Sequence, residues 1–234
     1  MTLSSSTPIP RRRSALFDFV TLIVAVVLLI GAGWRLLDPT HTTETEDARR
    51  VRADRLSSVR AVLFDAPTVV APAGYRDSIV VFSDYFCEYC RAQEEVLAKL
   101  RFDGVGLAVI YRQMPLTGIH PYATSAAAVA VCAAAIDQFE RVHTALFRDL
   151  PRWTDKVALT VWLQAIGMDS TMADGVSHCA ASGGAQKQLA TDRAIADTLG
   201  LSQTPTSIIG DPIHVGGLTV TELRDLIATR QVAK

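Results

Sequence analysis

The sequence predicts an α/β fold with a helical insertion between its halves, and three observations carry that prediction. Two short apolar runs rich in β-branched residues, IVVF at 79–82 and LAVIY at 107–111, flank a helical pattern. This is the order of a strand–helix–strand unit whose strands are buried on both faces. A long alanine-rich helical block follows Pro121 and continues through Phe147, Trp162 and Leu199. Two more strands, at 207–209 and 213–215, then surround Gly210, Asp211 and Pro212. A closing helix starts at Thr219 or Thr221, with Glu222 and Asp225 near its N-terminal end, where the helix dipole favours acids.

Composition agrees with a packed domain. Of 234 residues 49% are apolar and 20% charged, which excludes a disordered or fibrous chain and leaves ample material for a core. The net charge of −1 rules out a broadly basic surface, so nucleic acid is not an expected partner. Four cysteines are too few for a small disulfide scaffold but enough for a redox or metal site.

Arg11, Arg12 and Arg13 precede an uncharged run at 19–34. Extended to 15–37, that run approaches the hydrocarbon thickness of a bilayer, and it has no polar face to show water. The basic cluster places residues 1–14 in the cytoplasm and exports everything after about Asp38. Gly31, Ala32 and Gly33 could serve a signal peptidase, but a run this long is read as a retained single-pass anchor. The exported part carries 19 basic against 22 acidic residues, about −3, so the anchor is the only expected membrane contact. Residues 38–66 are polar, with a ragged stripe of Val51, Leu56, Val59 and Leu63. They read as a partly helical linker, or more simply as a plain spacer. The domain proper is placed at 67–234, with its helical insertion at about 115–200.

Cys87-Glu88-Tyr89-Cys90 lies where the first strand ends and a helix begins. Unpaired N–H groups and the helix dipole there favour an anion, which makes Cys87 the expected exposed thiolate. Cys90, seven residues before Leu97, falls on the buried side of the helix, where a resolving thiol belongs. A structural zinc site would need two further ligands from a second C-x-x-C or an H-x-x-x-H, and the sequence has neither. A purely structural bridge at a helix start closes almost no loop and stabilises little. No metal and no organic cofactor are expected.

VVFSDYFCEYC at 80–90 resembles the start of the DsbA-like thiol–disulfide oxidoreductases of the thioredoxin superfamily. Residues 115–129, followed by Cys132, are similar to the entry of that family's helical insertion, and GLSQTPT at 200–206 resembles the loop that carries its cis-proline. The resemblance covers roughly residues 67–230. It implies a thioredoxin-like fold with a helical insertion, here preceded by one transmembrane helix. It gives Cys87 and Cys90 the role of redox pair, Pro205 that of the cis-proline facing them, and Thr204 that of the residue whose backbone binds substrate. Glu88, Tyr89 and Asp84 become the residues expected to tune the pair. Two departures stand out: Glu88 occupies a position where many relatives have proline, and Val81 one where relatives often have a buried glutamate. Asp84 either substitutes for that acid or caps the helix.

Cys132 and Cys179, 47 residues apart, would usually oxidise in an exported protein. Similar relatives pair cysteines in this region, so a structural bridge is the first reading and two buried free thiols the other. His120 could sit near the redox site but reads more simply as helix entry, His143 reads as core or rim packing with Phe147, and His178 belongs to no metal cluster. The resemblance implies a monomer that oxidises cysteine pairs in exported proteins and is itself reoxidised by a quinone-linked membrane partner, DsbB-like or vitamin K epoxide reductase-like. It would lie on the extracytoplasmic, for instance periplasmic, side of an inner or cell membrane. A reductase fed by a membrane electron donor would use the same residues. A non-catalytic module that grips extended chains would not need the cysteines.

Overall fold

In the computed structural model the described residues are 24–26, 45–149 and 156–232. Apart from 24–26, the expected anchor lies outside them, and among the described residues no helix is long and apolar enough to cross a membrane. The elements are α1 (Glu46–Leu63), β1 (Val69–Val70), β2 (Asp77–Ser83), α2 (Glu88–Phe102), β3 (Leu107–Gln113), α3 (Ala123–Ala134), α4 (Phe139–Asp149), α5 (Lys156–Ala165), α6 (Ser170–Ala181), α7 (Gln186–Leu199), β4 (Thr206–Ile208), β5 (Ile213–Val215) and α8 (Val220–Val232).

The strands form one sheet in the order β1-β3-β2-β4-β5. β2 and β3 are parallel, with Val80 opposite Ile110, and α2 makes the crossover that a parallel pair requires. β4 runs antiparallel to β2, β5 to β4 and β1 to β3. The central strand explains its own sequence. Ile79 and Val81 enter one core with Leu97 and Leu100 of α2, the insertion helices and α8, whereas Val80 and Phe82 enter the other with α1 and α7. Successive side chains point to opposite faces, so a strand covered on both sides is apolar throughout.

Helix ends follow local chemistry. Glu222 Oε2 accepts from the Thr219 N–H at 2.7 Å while Thr219 Oγ1 accepts from the Glu222 N–H, a capping box that starts α8. Asp169 Oδ1 accepts from the Met172 N–H at the start of α6. Gly200, at φ 71°, ends α7 in the left-handed region and turns the chain toward the Thr204–Pro205 loop.

For residues 45–66 the spacer reading gives way. Leu56, Val59 and Leu63 are buried among Phe82, Ile110 and Ile208, while Val51 stays exposed. Arg112 of β3, fully buried, seals the end of α1 by donating to the carbonyls of Val62, Leu63 and Asp65. The same guanidinium meets Asp192 of α7 at 2.8 Å. A second difference is β1, a two-residue strand too short to give a sequence signal.

Candidate functional site

The C-x-x-C motif of Cys87 and Cys90 sits where β2 hands over to α2. Cys87 takes the N-cap position with extended backbone (φ −82°, ψ 119°), and its side chain makes no cap hydrogen bond. The N–H groups of Cys90 and Arg91 donate to the Cys87 carbonyl at 3.1 Å. The Cys87 thiol is held down at about 5. The largest cause is the hydrogen bond from the Cys90 thiol, and the Thr204 side chain and the N–H groups of Cys90 and Tyr89 add to it. Burial opposes them. Cys90 is pushed strongly upward, first because it donates to Cys87 and then by burial. The pair is thus polarised into an anionic and a neutral sulfur.

Cys87 is 8% exposed and Cys90 2%. The expectation of an openly exposed nucleophile is corrected: Cys87 is the more accessible sulfur but lies under the loop that follows α7. Its Sγ is 3.4 Å from the Thr204 carbonyl oxygen, which makes Thr204 the roof of the pair. The Thr204–Pro205 peptide bond is cis. The Pro205 carbonyl accepts from the Gly216 N–H at 2.8 Å, which ties this loop to the end of β5.

The three residues expected to tune the pair part company. Glu88 and Tyr89 are exposed, and Tyr89 reaches Cys87 through its backbone N–H. Asp84 is buried. It does not cap α2; its Oδ1 accepts from the Phe86 N–H within the loop, and its Oδ2 accepts from the Leu116 N–H at 2.8 Å. His120 Nδ1 lies 2.9 Å from the same Oδ2, which agrees with the second reading of His120, a place near the cysteine pair. Cys132 and Cys179 are disulfide-bonded and join α3 to α6.

Sequence reasoning missed a polar cluster beneath α2. Glu94 meets Arg101 at 2.7 Å, accepts from the Tyr111 hydroxyl and lies 3.3 Å from His143 Nε2, while His143 Nδ1 pairs with the Tyr85 hydroxyl at 2.8 Å. Burial pushes Glu94 upward, but His143 and Arg101 outweigh it and hold the carboxyl at about 2. The available signal was Glu94 itself, a charge four residues after Cys90 on the face that α2 buries. Gln93 beside it accepts from the Leu218 N–H at 2.6 Å and links α2 to the start of α8. Among the described residues no group of three His, Cys, Asp or Glu side chains could hold a metal ion.

Comparisons with known proteins agree with this fold. A family profile described as thioredoxin matches residues 76–229. The thiol-disulfide exchange protein alpha-DsbA2 of Wolbachia pipientis superposes with a TM-score of 0.67 at 22% identity, covering 80% of this chain and 99% of that one. A linker-deleted Proteus mirabilis ScsC gives 0.65 at 18%, covering 96% and 99%. Oxidised BdbD of Bacillus subtilis gives 0.59 at 16%, covering 69% and 91%. These likenesses concern the fold. Two curated relatives are the Na(+)/H(+) antiporters NhaA 3 of Salinispora tropica, 28% identical over 154 residues, and NhaA 1 of Salinispora arenicola, 29% identical over 184. They match 62% and 75% of this chain, which spans only about a quarter of their length (22% and 27%).

Proposed function

The chain belongs to the thioredoxin family and carries its DsbA-like architecture, and from that premise we propose that it oxidises cysteine pairs in exported proteins through Cys87 and Cys90. What supports the reading is the polarisation of the pair, with Cys87 held down at about 5 and Cys90 pushed up. A dithiol whose thiolate is this stable resists reoxidation, so its disulfide is a strong oxidant. The substrate thiolate attacks Cys87 Sγ of the disulfide form, and Cys90 leaves as a thiolate and takes up a proton. The second substrate thiolate then attacks its partner sulfur and expels Cys87. The substrate gains a disulfide and the protein keeps two electrons, which a quinone-linked membrane partner removes.

Thr204 is the proposed substrate contact, since its carbonyl lies beside the attacked sulfur and an extended chain can pair with such an edge. The arginine cluster and apolar run before Asp38 support a single-pass anchor with the domain outside the cytoplasm. The test is trapping. Cys90→Ser should accumulate mixed disulfides with reduced, unfolded proteins, and Cys87→Ser should not. Faster reduction of insulin than oxidation of a dithiol peptide would favour a reductase, and absence of both activities a binding module.

A further inference from the structure

The turn between β5 and α8 makes two hydrogen bonds within three residues, and they reach in opposite directions. The Gly216 N–H donates to the Pro205 carbonyl at 2.8 Å, in the loop that lies over the cysteine pair. The Leu218 N–H donates to Gln93 Oε1 at 2.6 Å, on α2. Gln93 stands one helical turn after Cys90 and is 2% exposed, and its amide nitrogen finds no partner among the described residues. Burying a glutamine is costly unless its polar atoms are bonded, so the bond through Oε1 is what the fold gains from it. Gly216, at φ 93°, gives the turn its left-handed step, and the Thr219–Glu222 capping box fixes the side that enters α8. The contacts close a ring. It runs from Cys87 Sγ to the Thr204 carbonyl at 3.4 Å, through Pro205 to Gly216, along the turn to Leu218, and through Gln93 back to α2.

We propose that Gln93 is a positioning residue for polypeptide substrates: by clamping the turn at 216–218 to α2 it holds the Thr204 edge in register with Cys87 Sγ. The inference rests on the redox role of Cys87 and Cys90 and concerns which thiols that pair accepts. A thiolate carried on an extended chain is placed by the backbone edge it pairs with, so it meets the sulfur only when that edge is in register. A small dithiol makes no such pairing and is indifferent to the edge. Gln93 therefore favours cysteines in polypeptides over small thiols. Another tie between the same helices, Arg224 Nη2 to Asp103 Oδ2 at 2.6 Å, lies past the other end of α2, with the Arg224 side chain 49% exposed. An exposed ion pair of this kind contributes little, and it supplies the control.

The measurement compares two single-turnover oxidations by the full chain in its Cys87–Cys90 disulfide form, one of dithiothreitol and one of an unstructured peptide with two cysteines. In each, the dithiol gives up two electrons and two protons and closes a disulfide, and the protein takes them up as its own dithiol. The reading is the ratio of the peptide rate to the dithiothreitol rate, from which a change in folded fraction or in the pair itself cancels. Gln93→Leu keeps much of the volume, removes the acceptor and strands the Leu218 N–H, and should lower the ratio by at least about fivefold. A smaller change overturns the inference, because a merely structural glutamine moves both rates together. So does an equal fall in Arg224→Ala, which would assign the effect to any loosening of α8. Amide exchange in folded wild type gives a second reading that needs no variant. Clamp and edge acting as one unit should open together, with Gly216 and Leu218 equally protected, and protection more than about tenfold apart overturns the inference. Wild type that oxidises neither probe fails the parent reading; oxidation of both with an unmoved ratio in Gln93→Leu sinks this inference alone.

Discussion

The polarisation of the dithiol rests above all on one hydrogen bond, which can be removed. In Cys90→Ala the donor to Cys87 disappears, while the N–H groups of Tyr89 and residue 90 and the Thr204 side chain remain. A hydrogen bond to a charged acceptor contributes about 1.5–3 kcal/mol, or about one to two pKa units. Cys87 should therefore rise from about 5 to about 6–7, still below an ordinary thiol, because the helix start is untouched. At pH 5.5 the thiolate fraction would fall from about three-quarters to about a tenth. Ultraviolet thiolate absorbance against pH measures the shift directly, and alkylation at limiting reagent follows the same curve. Cys90→Ser, which keeps a donor, should remain near the wild type. A Cys87 that stays at about 5 in Cys90→Ala would refute the reasoning and assign the anion to the backbone of α2 alone.

Other consequences concern stability and tuning. Breaking the Cys132–Cys179 bridge releases a 47-residue loop and should cost about 4 kcal/mol in the chain-entropy model, read as a lower urea midpoint with redox activity retained. Asp192→Ala leaves the Arg112 guanidinium buried without its counter-charge and should cost about 3–5 kcal/mol in the same assay. Leu63→Ala should cost about 2–5 kcal/mol, whereas Val51→Ala should change little, since Leu63 is buried in the core and Val51 is exposed. Glu88→Gln should lower the Cys87 pKa by about half a unit and raise the reduction potential, because an exposed carboxylate beside a thiolate is screened but repulsive. A pKa that stays put or rises would show that Glu88 points away from the sulfur.

The parts of the structure that the sequence announced are those governed by local rules. The strand at 79–82 was legible because burial on both faces leaves no polar position, and the start of α8 because Thr219 and Glu222 form their cap within four residues. The place of Cys87 at a strand–helix junction was legible, because both flanking elements have local signals. Its cover was not, because Thr204 arrives from 117 residues away. The same holds for α1. Three apolar residues on a polar helix resemble a spacer until Arg112, 49 residues from Leu63, reaches its terminal carbonyls. Asp84 offered two roles; it does not cap α2, and its carboxylate accepts from Phe86 in the loop and reaches Leu116 and His120, 32 and 36 residues on. Glu94 and His143 stayed invisible as partners for the same reason. Periodicity says which face is buried, not which charges meet there.

The reduction potential of the Cys87–Cys90 pair, from equilibration of the full chain with glutathione buffers at pH 7, tests the oxidant reading most directly. A Cys87 thiolate held at about 5 stabilises the reduced form, so the account predicts one two-electron transition at a potential less negative than about −200 mV. A potential near that of thioredoxin, about −270 mV, or a pair that does not exchange at all, would contradict it.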